Sequence, residues 1–130
     1  METLIEKLKT LNYKYKIVSD NKIILRLEFN QIIIIELNND RLVVKDGFNG
    51  WNFLTGRWGK DLNFALKYIT FLTVGVAIFL LLLNLSYLDK HFGITFGITF
   101  FIILSLLWYL YYYIKFLFLK KLIFDIWLNK

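Results

Sequence analysis

The chain has 130 residues, of which 58% are hydrophobic, 19% aromatic and 20% charged, with a formal net charge of +6 and no cysteine. Disulfides, thiolate metal sites and cysteine nucleophiles are therefore excluded. The basic excess does not read as a nucleic-acid surface, because it is split: residues 1–67 hold 11 Lys/Arg and 8 Asp/Glu, residues 115–130 hold 4 Lys and 1 Asp, and the runs between Lys67 and Asp89 and between His91 and Lys115 carry no charge. Charge and apolar sequence are segregated, with lysines flanking the apolar runs as membrane-side anchors do.

Residues 1–11, METLIEKLKTL, place Leu4, Ile5, Leu8 and Leu11 at helical spacing with Glu6, Lys7 and Lys9 opposite, which predicts a short amphipathic helix. Charges run through the place where the apolar region of a signal peptide would fall, so the segment is not read as one. From Tyr13 to Asp46 the period changes to two and β-branched residues dominate. Four strands are predicted near Tyr13–Val18, Lys22–Phe29, Gln31–Leu37 and Arg41–Asp46. The short polar breaks between them, SDN, Asn30 and NND, are hairpin turns, which gives an antiparallel meander. One face is expected to carry Tyr15, Ile17, Leu25, Leu27, Phe29, Ile33, Ile35, Leu42 and Val44 under the N-terminal helix. The other mixes charges with Ile24, Ile32, Ile34 and Val43, too aliphatic for full solvation, so a second contact is expected there. Residues 1–46 thus form a small α+β head, thin enough to need support from elsewhere.

The connector, residues 47–64, holds Gly47, Gly50, Gly56 and Gly59 and the pair Trp51 and Trp58 beside Arg57 and Lys60. Tryptophan with basic neighbours favours the headgroup region, so the connector is placed at the water–lipid boundary. Within it NGWNFLTG, residues 49–56, is a distinctive stretch to which no function attaches.

A two-helix transmembrane hairpin is predicted over residues 65–114. Tyr68–Leu88 is 21 residues and Phe92–Ile114 is 23 residues without a charge; the shorter spans about 31 Å as a helix, against a hydrocarbon core of about 30 Å. The break between them is only DKH, Asp89–His91, so the helices are expected to be antiparallel and in contact. Lys/Arg placement, with Arg57, Lys60 and Lys67 before the first span, Lys115, Lys120 and Lys121 after the second and Lys90 alone in the turn, puts both termini on the inner side. That side is the cytoplasm for a bacterial inner membrane, or the matrix for a mitochondrial one.

FGITFGITF, Phe92–Phe100, sets Gly93 and Gly97 on one helix face. Membrane helices associate through close packing rather than through hiding apolar surface, and small residues four apart allow it. The expected role is the hairpin seam, with Gly97 opposite Leu83 and Gly93 opposite Tyr87, or a groove for another subunit. Thr73, Gly75, Ala77 and Asn84 are further helix-packing candidates. WYLYYYIK sets Trp108, Tyr111, Tyr112 and Tyr113 beside Lys115 as an inner aromatic belt. The tail, residues 115–130, is expected either to extend the second span or to lie in the interface with Trp127 at headgroup level, and is a candidate cover for the aliphatic patch of the sheet.

No chemistry-bearing constellation emerges. His91 is the sole imidazole, no thiolate or converging carboxylates accompany it, and GRWGK lacks the spacing and following Ser/Thr of a phosphate loop. The runs contain no Asp, Glu, Lys or Arg of the kind that marks ion pathways. The reading is a non-catalytic membrane protein without metal or cofactor, an accessory or interaction subunit whose partners are the bilayer and other membrane subunits or its own copies. The alternative is an oligomeric pore or membrane-perturbing effector lined by Thr70, Thr73, Thr95 and Thr99.

Overall fold

In the computed structural model, which describes residues 2–39, 41–57, 59–84 and 92–128, the chain forms helix α1 (Glu2–Thr10), strands β1 (Lys14–Ser19), β2 (Lys22–Arg26), β3 (Gln31–Asn38) and β4 (Arg41–Phe48), and helices α2 (Leu62–Asn84) and α3 (Phe92–Leu128). The α+β head is thus followed by two long apolar helices. α1 ends because Asn12 takes a positive φ of 60° while Asn12 N–H and Tyr13 N–H donate to Lys9 O and Leu8 O, a Schellman closure that turns the chain into β1.

The strands lie in the order β1-β2-β3-β4, all neighbours antiparallel, as the short turns require. The register stacks Ile17, Ile23, Ile35 and Val44 in one row and Tyr15, Leu25 and Ile33 in the next. The expected face forms with two corrections. Ile17 is 51% exposed while Ile23 is buried, because the covering helices sit over β2–β4 and leave β1 as an edge strand. Phe29 leaves the sheet altogether: β2 stops at Arg26, and Glu28–Asn30 makes the turn, with Phe29 and Asn30 at φ 53° and 62°. Two successive positive φ values match a type I′ hairpin turn.

The cover is the main departure from expectation. Leu4 and Leu8 of α1 share one buried cluster with Ile23, Leu25, Ile33, Ile35, Leu42 and Val44 and with Leu119, Ile123 and Ile126 of α3. The tail is therefore a continuation of the second apolar helix, and it packs on the same face as α1, not on the opposite patch with Ile24, Ile32, Ile34 and Val43. Those four are half-buried, beside a surface ion triplet in which Glu36 lies 2.8 Å from Lys22 and 3.0 Å from Lys45. α3 has 37 residues, about 55 Å, so it outlasts a bilayer core and its last third serves as a wall of the head.

A second cluster joins head to helices: Phe48, Leu54, Leu62, Ala65, Ile69 and the fully buried Tyr112. Two carboxylates close the N-terminus of α2. Asp61 Oδ1 accepts from Phe64 N–H at 2.7 Å as the N-cap, and Asp46 of β4 accepts from Leu62 N–H. The turn DKH lies outside the described residues.

Candidate functional site

Where the head meets the long helices, aromatic rings converge. Phe53 stacks on Trp108 with centroids 4.7 Å apart, and Phe29 stands edge-on to Phe53, Trp108 and Tyr111 at 5.6, 5.2 and 6.1 Å. Trp51 meets Phe53 at 4.8 Å. Offset and edge contacts of this kind suit the ring quadrupoles. The collar joins three distant pieces of sequence: the β2–β3 turn, the connector and the middle of α3.

The connector's own chemistry explains how it holds two rings outward. Asn52 is buried; its Oδ1 accepts from the backbone N–H of Leu54 and Thr55 at 3.0 and 2.9 Å, and its Nδ2 donates to Gly56 O at 3.0 Å. Backbone bonds between Asn52 and Gly56 in both directions close the loop, with Gly56 at φ 63°. A side chain at Gly59 would overlap Thr55 Oγ1. NGWNFLTG is thus a self-bonded loop, and Trp51 and Phe53 project from it. The loop is clasped to the hairpin turn by Asn30 Nδ2, which donates to Trp51 O at 2.7 Å, and by Asn49 N–H, which donates to Asn30 O at 2.8 Å.

Tyr112 is not a belt residue. Its ring stands edge-on to Phe48 at 5.2 Å and its hydroxyl donates to Phe29 O at 3.1 Å. Gln31, fully buried, donates from Nε2 to Tyr112 O at 3.0 Å, while its Oε1 has no partner among the described residues. These bonds fix the height of the head on α3. Around them Tyr111 and Tyr113 stay outward-facing, Tyr113 stacks on Tyr109 at 5.9 Å, and Lys115 Nζ donates to Glu28 Oε2 at 2.9 Å. Arg57 and Lys60 are exposed, and Trp58 lies outside the described residues. Trp127 packs against the head's cluster, about 28 Å of helix beyond Trp108.

The proposed helix-packing positions are distributed differently from expectation. A Cβ built at Gly75, Gly93 or Gly97 meets no heavy atom within 4 Å among the described residues, and the glycines themselves are exposed. The side chains of Leu83 and Asn84, and residue Tyr87, lie outside what is described. Ala77 is exposed. Among the described residues, buried contact between the helices is at the head end, through Ala65, Ile69 and Tyr112. Thr70, Thr73, Thr99 and Ser105 donate to carbonyls four residues back, at 2.8–2.9 Å, a pattern that satisfies the hydroxyl within its own helix. Thr73 also lines a cavity of about 290 Å³ between the connector, α2 and α3. Among the described residues no three His, Asp or Glu side chains gather as a metal would need.

Sequence reasoning missed Phe29, Phe53, Glu28, Gln31 and Asn52. The turn signal at Asn30 marked the place, but Glu28 and Phe29 belong to the turn rather than the strand, which redirects Phe29 from the sheet to the collar. The chain matches no protein-family model, no characterised protein and no solved structure.

Proposed function

We propose that the chain is a small integral membrane protein, in which α2 and α3 cross the bilayer as an antiparallel pair and hold the α+β head at the inner surface. In this reading it is a non-catalytic interaction or accessory subunit that associates with other membrane helices or with its own copies. The observation that carries it is the exposure of the long helices: an 18-residue window in each of the apolar stretches Leu62–Phe79 and Thr95–Leu128 is only 17% buried. A core helix of a soluble protein would be mostly buried, and exposed apolar surface on this scale needs lipid or protein around it.

The open glycine face supports the association half of the reading. Gly93 and Gly97 leave a notch one turn apart on α3, free of the partner helix α2 among the described residues. Close approach by a second helix is what such a notch favours. The test is Gly93→Leu with Gly97→Leu in the full chain. The double variant is expected to stay in the membrane after alkaline carbonate washing but to migrate as a smaller species in native electrophoresis; unchanged migration contradicts the association.

A further inference from the structure

We infer that one face of α3 holds a single inner-leaflet phospholipid with a primary-amine, zwitterionic headgroup, one of its two acyl chains in the groove walled by Phe29, Leu104, Leu107, Trp108 and Tyr111 and its headgroup at Glu28 and Lys115. The inference rests on the reading that α2 and α3 cross a bilayer.

The groove has a volume of about 500 Å³ and is almost wholly apolar in lining. Positions 104, 107, 108 and 111 recur at i, i+3, i+4 and i+7, so they form one continuous stripe, and Lys115 follows on the same side one turn later. Phe29 supplies the facing wall from the β2–β3 turn. Its backbone is held at φ 53°, an unfavourable conformation for a bulky residue that persists only where the surroundings fix it; here the clasp to the connector and three ring contacts do so.

Length and polarity then select the occupant. From Leu104 to Lys115 the helix rises about 16 Å, against about 15 Å for half of a hydrocarbon core. The stripe is one leaflet long and becomes polar only at its head end. There Glu28 Oε2 receives Lys115 Nζ at 2.9 Å and Tyr111 Oη at 3.3 Å. The Glu28 side chain is 72% exposed, and the hydrogen bond and charge of Lys115 hold its carboxyl below the usual carboxylate range. An ionised, accessible acceptor thus sits beside an ammonium donor and a phenol. A phosphate accepts from the remaining N–H groups of Lys115, the Tyr111 proton staying on Glu28, while a primary ammonium donates to the exposed Glu28 carboxylate. A quaternary ammonium has no N–H to give, and the glycerol hydroxyls of an anionic phosphatidylglycerol offer the carboxylate only a neutral donor while its net charge is repelled.

The experiment uses the full chain reconstituted in vesicles of phosphatidylethanolamine, phosphatidylcholine and phosphatidylglycerol in equal parts, floated on a gradient, then released into mild detergent for native mass spectrometry. Wild type is expected to float and to retain one phosphatidylethanolamine with a preference over phosphatidylcholine of about fivefold to tenfold, the worth of one charge-assisted hydrogen bond at a wet site. Glu28→Gln is expected to bring that preference close to the bulk ratio, and Leu107→Trp, which fills the groove, to lose the retained lipid of every class. Retained lipid that mirrors the bulk mixture, a preference for phosphatidylglycerol, or indifference to both variants overturns the inference while leaving the membrane reading in place. Protein that stays at the bottom of the gradient overturns both.

Discussion

Ile123→Ala tests whether the far end of α3 is a wall of the head or merely lies beside it. Ile123 is fully buried, against Leu4 and Leu8 on one side and the β2–β4 face on the other. The substitution removes three carbons, about 2.4 kcal/mol of transfer free energy at about 0.8 kcal/mol per group. Because three elements meet at this point and none can collapse inward alone, a cavity term adds to it, for a total of about 3–4 kcal/mol. A small domain has about 5–15 kcal/mol in all, so the loss is a large share. The matched control is Leu117→Ala on the same helix, where the side chain is exposed and the cost is expected below about 0.5 kcal/mol if the surrounding solvent or detergent simply replaces it. Amide hydrogen exchange of β3 in micelles reads the difference: exchange speeds by about two orders of magnitude or more in Ile123→Ala and stays unchanged in Leu117→Ala. Equal protection in the two variants refutes the packing argument.

Other consequences follow from single contacts. Gly59→Ala overlaps Thr55 and is expected to lower thermal stability in micelles by about 1–3 kcal/mol, whereas Gly75→Ala, with open space around it, is neutral or gains up to about 1 kcal/mol of helix propensity. Tyr112→Phe deletes the hydroxyl bond to Phe29 O and is expected to cost about 1 kcal/mol; Tyr113→Phe, at an exposed ring, costs less than about 0.5 kcal/mol, and the two are compared by tryptophan-detected unfolding. Burial first, and the charge of Asp61 last, raise the Asp46 carboxyl above its usual range, against the bond from Leu62 N–H. The folded state therefore binds this proton more tightly than the unfolded chain, and the associated stability is present in acid and lost as pH rises through the raised value. Asp46→Asn keeps an acceptor for Leu62, so its advantage over wild type is expected to open as pH rises from acid to neutral; an advantage that grows on acidification contradicts the assignment.

The head was legible because its signals are local and agree. Period-two aliphatics from Tyr13 to Asp46 and polar breaks at Ser19–Asn21, Asn30 and Asn38–Asp40 define a meander with little freedom of register. The N-terminal helix was legible from Leu4, Ile5, Leu8 and Leu11 at helical spacing, of which Leu4 and Leu8 are the fully buried pair and Leu11 is exposed. The extent of α3 was not, because Lys115, Lys120, Lys121 and Asp125 interrupt the apolar run without forming a polar face. Leu119, Ile123 and Ile126 have their meaning only once the sheet is beside them. Tyr112 was misread for a related reason: among Tyr111, Tyr112 and Tyr113 composition is uniform, and the helix turn alone decides that one ring points at Phe48 while its neighbours point outward. Likewise nothing in the glycine repeat says which neighbour it faces, and the buried contact of α2 with α3 at Ala65 and Ile69 carries no small-residue motif that would have marked it.

The most direct measurement exploits the absence of cysteine. Single substitutions Asp20→Cys in the head, Lys90→Cys between the apolar helices and Asp125→Cys near the end of α3 are labelled in sealed vesicles with a membrane-impermeant maleimide, before and after opening. The account requires positions 20 and 125 to react from one side and position 90 from the other. Reaction of all three from the same side, or of 20 and 125 from opposite sides, contradicts two crossings with the head and the end of α3 together.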